Sequence, residues 1–170
     1  MLIKKITLRN FKSFGKKVEI PLIPGFTVIT GPNGRGKSNI IDSILFCLGL
    51  STSTKQLRAE RLSDLVSDGK RDAEVSITLG DDGKNYEITR KIKVTEKGYY
   101  SYYYLNDKPA SLQEIQSLLS QLGIHSDACN IVLQGDITRI VEMSPIQRRR
   151  VLEDIAGISE FDEKKEKALE

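Results

Sequence analysis

The chain has little of the chemistry from which metal and thiol sites are built. It holds two cysteines and one histidine in 170 residues. Cys47 and Cys129 stand far apart, outside any metal-ligand spacing, and His125 has no partner in sequence. That usage suits a reducing, intracellular setting, with Cys47 expected in the core. No apolar run approaches the ~18 residues of a membrane span. The N-terminus, Met1-Leu2-Ile3-Lys4-Lys5, lacks the apolar centre of a signal peptide. Charge of one sign is scarce too. The net charge is +3, so any basic surface must be local. What remains, 39% hydrophobic and 29% charged, is an ordinary globular composition, long enough for one or two domains with a real core.

Against that plain background one stretch stands out. Gly31-Pro32-Asn33-Gly34-Arg35-Gly36-Lys37-Ser38 fits G-x-x-x-x-G-K-[ST], the phosphate-cradling loop of nucleoside triphosphatases. Glycines let successive backbone N–H groups curl around a β-phosphate where a side chain would collide. A helix beginning just after the loop adds its positive end. Lys37 would reach the β- and γ-phosphate oxygens, and the Ser38 hydroxyl would ligate Mg²⁺. The flanks agree. Phe26-Thr27-Val28-Ile29-Thr30 predicts a short buried strand, and Ile40, Ile41, Ile44, Leu45 and Leu48 predict a helix ending at Gly49.

Elsewhere, residues 2–8 and 18–22 read as strands. Residues 51–72 are polar, with a short helix near Leu62-Leu65-Val66. From Ala73 the period becomes two: Val75, Ile77 and Leu79 alternate, Asp81-Asp82-Gly83 turns the chain, residues 86–94 return, and Lys97-Gly98 turns it again into residues 99–105. That is an antiparallel meander. Ser111-Leu112-Gln113-Glu114 is a capping box opening a helix with Ile115, Leu118, Leu119 and Leu122 on one stripe. Residues 130–133 read as a strand running into Gln134. A second box, Ser144-Pro145-Ile146-Gln147, opens a helix closed by Gly157. Ser159 then starts a charged helix with i,i+4 pairs Glu160/Lys164 and Glu163/Lys167, the beginning of a coiled coil or a solvated terminal helix. The tyrosines at 99, 100, 102, 103 and 104 read as strand formers alternating between core and surface, and Arg148-Arg149-Arg150 as solvated surface.

Parts needed for hydrolysis are missing. No apolar strand ends in Asp or Glu to hold the metal, and no Leu-Ser-Gly-Gly occurs. By its residues the chain can cradle a nucleotide. Either the rest lies on another segment or chain, or nucleotide is bound without turnover.

The ordered set Phe11-Lys12-Ser13-Phe14, 31–39, Leu57-Arg58-Ala59, Ser63-Asp64, 130–136, Met143-Ser144-Pro145 and Ala156-Gly157-Ile158 resembles the N-terminal half of the ATPase head of SMC (structural maintenance of chromosomes) proteins of prokaryotic type, over essentially the whole chain. The resemblance implies an α/β fold: the N-terminal lobe of an ABC-type P-loop NTPase head, with a mixed sheet, an antiparallel meander and the start of an antiparallel coiled coil. Residues 1–158 would form the lobe and 159–170 the root of the outgoing helix. In that family the missing carboxylates and signature motif sit in a C-terminal lobe beyond a long coiled coil, and two heads sandwich two ATP molecules.

By resemblance, Lys37 is the β/γ-phosphate lysine and Ser38 a Mg²⁺ ligand, with Gly31, Pro32, Asn33, Gly34, Arg35, Gly36 and Asn39 lining the loop. Gln134 matches the glutamine that ligates Mg²⁺ and places the attacking water. Arg58 matches an arginine that approaches the phosphates, and Lys12 and Ser13 a loop near the α/β-phosphates and sugar. Arg35 departs from the family's usual serine. The resemblance further implies ATP and Mg²⁺ as ligands, ATP-driven head engagement with hydrolysis-driven release, and a role in DNA entrapment, chromosome condensation and segregation. Implied partners are the C-terminal lobe, a second head, a kleisin subunit (ScpA-like) and double-stranded DNA without sequence preference, with no membrane, in the cytoplasm on the chromosome. The isolated chain is expected to be inactive. Rival readings are a coiled-coil ATPase of double-strand-break repair or RecF/RecN type, and a nucleotide-gated module that does not hydrolyse.

Overall fold

A computed structural model describes residues 2–51, 54–81, 83–124, 144–146 and 148–149. The chain divides into two compact units, residues 1–122 and 123–170. The expected boundary between residues 158 and 159 lies outside the described residues, as do the expected strand at 130–133, Gln134, Cys129, His125 and the charged helix from Ser159.

The first unit is built on one sheet. Strands β1 (Leu2–Arg9), β2 (Val18–Pro21), β3 (Asp72–Asp81), β4 (Lys84–Thr95), β5 (Gly98–Leu105) and β6 (Lys108–Ala110) lie in the order β2-β1-β3-β4-β5-β6. Every pairing in this sheet is antiparallel. Period-two patterning sets its register. Ile6 and Leu8 of β1, Val75, Ile77 and Leu79 of β3, and Ile88 and Ile92 of β4 are all fully buried, which fixes which face of each strand meets the core. Polar partners cross the same strands: Arg9 on β1 bridges Asp72 at 2.7 Å and Glu74 at 3.3 Å on β3, and Lys91 of β4 reaches Glu74 at 3.1 Å. The expected alternation of the tyrosines holds in part: Tyr103 is buried, while Tyr99, Tyr100 and Tyr102 are exposed toward the β4–β5 tip.

Strand β6 has no counterpart in the sequence reading. Asn106 and Asp107 both take left-handed φ, 48° and 62°, the conformation of a two-residue hairpin whose twist matches its strands. Asn106 also ties the turn to β4: Glu87 N–H donates to its Oδ1, and its own N–H donates to the Glu87 carbonyl, both at 2.8 Å. Pro109 sits on β6, an edge strand, where a missing donor is tolerated.

Helix α1 (Lys37–Leu48) packs on β3 and β4. From Asp42 to Leu48 every residue is buried, a far wider face than the stripe expected, while Ile41 points outward. Gly49 ends the helix at φ 66°, and Leu50 N–H returns to the Leu45 carbonyl at 3.0 Å. A Cβ on Gly49 would stand 2.7 Å from Leu112 Cδ1 and 2.9 Å from the Tyr103 hydroxyl, so the cap is also a close crossing. α1 carries no basic residue in its last turn. Arg90 of β4 supplies that cation: its Nη1 donates to the Phe46 carbonyl at 2.8 Å and its guanidinium lies 4.3 Å from the Phe46 ring centroid and 4.7 Å from that of Tyr103. Burial lowers the Arg90 pKa from its usual value. Cys47 is core, as expected; its Sγ lies 3.3 Å from the Val75 carbonyl and 3.2 Å from that of Ile88, and burial pushes the thiol up to about 12.

Helix α2 (Leu112–Gln121) begins at the expected capping box. Ser111 N–H donates to Glu114 Oε2 at 2.6 Å, and Glu114 N–H donates to Ser111 Oγ at 3.2 Å. The polar stretch after α1 forms two short 3-10 turns, Thr54–Leu57 and Leu62–Leu65, each anchored by a fully buried leucine, Leu57 and Leu65. In the second unit, Arg148 N–H donates to the Ser144 carbonyl at 3.0 Å, a helical bond following the expected Ser144-Pro145 start. Among the described residues no helix is long and apolar enough to cross a membrane.

One expectation fails. Residues 26–30 are neither a strand nor buried: Phe26 is 95% exposed, Val28 62% and Ile29 42%, and Ile23 just before them is 80% exposed. A strand buried on both faces exists only where neighbours take its N–H and C=O groups. The sheet of this unit places no strand beside residues 26–30.

Candidate nucleotide site

The phosphate loop leads directly into α1. Its last glycine, Gly36, is the helix N-cap at φ 86°, and no side chain caps the first turn. The N–H groups of Lys37 and Ser38 therefore have no intrahelical partner, Asn39 N–H donates to the Gly36 carbonyl at 2.9 Å, and no acidic residue occupies that turn to compete with an anion. Gly36 is required twice over. Its φ is left-handed, and a Cβ there would stand 2.6 Å from Ser13 Oγ. Gly34 also takes a left-handed φ, 78°. Lys37 curls back over the loop: Nζ donates to the Gly31 carbonyl at 2.6 Å and the Pro32 carbonyl at 2.7 Å. These are the features of a cradle for phosphate oxygens: uncapped amides, a cation held above them, and a glycine with no room for a side chain. A triphosphate fits this donor set. Ser38 is the second residue of α1 and is exposed beside the loop.

Ser13 belongs to the same place. Residues Phe11 and Phe14 close a tight turn by mutual backbone bonds of 3.1 and 2.8 Å. Phe11 anchors it, fully buried with its ring centroid 5.4 Å from that of Phe46. The turn is pinned from the other side by Lys12 N–H to the Leu65 carbonyl at 2.8 Å and Ser67 Oγ to the Lys12 carbonyl at 2.6 Å. This brings Ser13 Oγ to Asn39, whose Nδ2 donates to it at 2.9 Å. The structure thus joins Ser13, Gly36 and Asn39 on one side of the loop. Asn33 and Arg35 sit on the exposed outer turn of the loop.

Lys12 and Arg58 are both held by a residue that the sequence reading did not select. Lys12 Nζ lies 2.5 Å from Asp42 Oδ2 and also donates to the Leu57 carbonyl; Arg58 Nη2 lies 2.6 Å from the same Oδ2. Asp42 follows Ser38 by one turn of α1, and its side chain is only 4% exposed, against 11% for Lys12 and 47% for Arg58. The signal was available: Asp42 is the one acid in the helix KSNIIDSILFCL, set among apolar neighbours where a lone carboxylate needs partners. Gln134, the expected metal and water ligand, lies outside the described residues.

Comparison with known proteins agrees with this geometry. Residues 2–138 match the family model for the RecF/RecN/SMC N terminal domain. The chain is 45% identical over 190 residues to the chromosome partition protein Smc of Synechocystis, a match that takes in 95% of this chain and 16% of that protein. It is 46% identical over 179 residues to the Smc of Pyrococcus furiosus, spanning 99% of this chain and 15% of that one. It therefore spans about a sixth of the length of such relatives. Among solved structures, a chain from a study of ATP-driven dimerization and DNA-stimulated activation of SMC ATPases superposes with a TM-score of 0.78 at 43% identity, covering 91% of this chain and 99% of its own. The Smc head of Pyrococcus furiosus, bound to the C-terminal domain of ScpA, superposes at 0.85 with 46% identity, covering 98% of this chain and 44% of its own. A phosphate loop opening a buried helix, a Phe-Lys-Ser-Phe turn packed against it and these relatives together show that the chain belongs to the RecF/RecN/SMC N-terminal domain family, on its SMC side.

Proposed function

We propose that this chain is the ATP-binding N-terminal lobe of an SMC head, and that ATP bound at residues 31–38 joins two such heads. The observation that carries the reading is the uncapped N-terminus of α1 beneath a loop whose Gly36 tolerates no side chain. Loop amides and Lys37 hold the β- and γ-phosphates, while Ser13 and Asn39 border the α/β-phosphate side. The Ser38 hydroxyl and Gln134 would hold Mg²⁺, which when bound offsets negative charge on the phosphate oxygens. Gln134 orients the attacking water, and Arg58 offsets charge on the γ-phosphoryl group as it transfers.

Phe26, Val28 and Ile29 mark where the remainder of the head docks: apolar side chains on a segment without strand neighbours among the described residues suit pairing with strands of a C-terminal lobe. That lobe would bring the metal-holding acid and the signature motif this sequence lacks. Engagement of two heads by ATP, with release on hydrolysis, would serve DNA entrapment and chromosome segregation, with a kleisin and double-stranded DNA as partners and the chromosome as the place of action. ATP is then a ligand that favours the engaged state over the open one.

The test is ATP hydrolysis by the lobe alone and after addition of the C-terminal lobe. Turnover confined to the mixture is expected. Turnover by the lobe alone contradicts the split head, and none in the mixture makes the chain a nucleotide-gated assembly module.

A further inference from the structure

We infer that Asp42 is a positioning residue for the nucleotide site, gathering Lys12 and Arg58 so that the arginine is presented to the phosphates in one orientation. The inference rests on the nucleotide-binding reading above and adds to it a residue with no contact to the nucleotide itself.

One carboxylate oxygen takes both cations, Lys12 Nζ at 2.5 Å and Arg58 Nη2 at 2.6 Å. Asp42 is anchored in the buried part of α1, and being four positions on from Ser38 it lies about 6 Å further along the axis, on the same face. Lys12 in turn is the neighbour of Ser13, which touches Gly36 and Asn39. The cluster is thus connected to the loop at both ends of its first turn. Its three charges leave one positive charge in excess, and the half-exposed partner is Arg58, whose remaining N–H groups form a planar fork with a direction set once Nη2 is fixed.

The backbone agrees. Lys12 and Arg58 each take a left-handed φ, 46° and 50°, although neither is glycine. Backbones of this kind persist where the surroundings over-determine them, and they gather at binding sites. Here both strained residues carry the two cations on Asp42. A carboxylate serving only the fold would need no second cation, half in solvent, delivered by a strained backbone.

The experiment uses the full-length protein with both lobes. A fluorescent ATP analogue gives Kd, steady-state hydrolysis gives kcat, and thermal melting reports the fold, for the wild type, Asp42→Asn, Arg58→Gln and the double variant. Each single variant is expected to lose at least about tenfold in kcat, and in Asp42→Asn Kd stays within about threefold of wild type or tightens, since that change removes a nearby negative charge and no phosphate contact. The double variant is expected to be no worse than Arg58→Gln alone, the mark of two residues acting as one unit. Wild-type kcat in Asp42→Asn, losses that multiply in the double variant, or parallel loss of affinity and melting temperature would each overturn the assignment. Should Asp42→Asn fail to fold, Arg58→Lys decides: it keeps the charge and loses the fork, so wild-type turnover in it is equally fatal. If the wild type binds no ATP, the nucleotide reading fails instead.

Discussion

Replacing Lys37 with Ala is expected to abolish ATP-dependent pairing of heads while leaving the lobe folded. Among the described residues Lys37 Nζ has the Gly31 and Pro32 carbonyls as its partners, in an exposed setting, so its removal leaves no buried group unpaired there. The melting temperature should move by no more than about 2 °C, as is usual for surface substitutions of about 0.5 kcal/mol. The loss falls on the ligand. A charge-assisted bond from an ammonium to phosphate contributes about 1.5–3 kcal/mol, a factor of about ten to a hundred in affinity. Pairing of two heads needs both sites filled, so the effect on engagement compounds. Titration calorimetry with Mg-ATP and crosslinking of completed heads read the two effects separately. Pairing that persists at wild-type ATP concentration would mean that some other surface joins the heads.

The second large effect is structural. Arg90→Ala is expected to destabilise the lobe by about 3–4 kcal/mol, within the range for breaking a buried network, and so to lower its melting temperature by about 6–16 °C at the 2–4 °C per kcal/mol typical of this size. Three losses add. The guanidinium leaves the faces of Phe46 and Tyr103, the Phe46 carbonyl loses its 2.8 Å donor at the C-terminal end of α1, and Ser101 Oγ loses its bond to Arg90 Nε at 3.0 Å. Burial already disfavours the charged form of Arg90, so the site holds the cation only because helix end and rings compensate it. A melting temperature within about 2 °C of wild type would show that these contacts are incidental. Because Arg90 of β4 meets α1 at Phe46, near the end away from the loop, ATP affinity of the folded fraction should not change.

Those two residues also mark what sequence can and cannot carry. Local signals were enough for α1, α2 and the meander, because period, caps and turns are written within a few residues: the Ser111–Glu114 box and the Gly49 cap appear where the letters put them. The phosphate loop was equally plain. Three things were not. β6 is only Lys108–Ala110, with a proline, and its turn has Asn-Asp in place of the commoner glycine. The strand expected at 26–30 depends on neighbours that local pattern does not reveal; apolar letters gave its burial, but pairing decides it. Asp42 was passed over because its meaning lies in residues 30 and 16 positions away, Lys12 and Arg58. A lone carboxylate among apolar neighbours signals a need for partners, but which cations supply it shows only in three dimensions.

The central claim is that backbone amides between residues 31 and 38 grip a triphosphate. Amide hydrogen exchange on the completed head, with and without Mg-ATP, measures those amides one by one. Protection of Gly34 through Ser38 by tenfold or more on adding ATP is the expected result, with the change lost in Lys37→Ala. Saturating ATP that leaves these amides exchanging at their free rate, while protecting another part of the head, would contradict it.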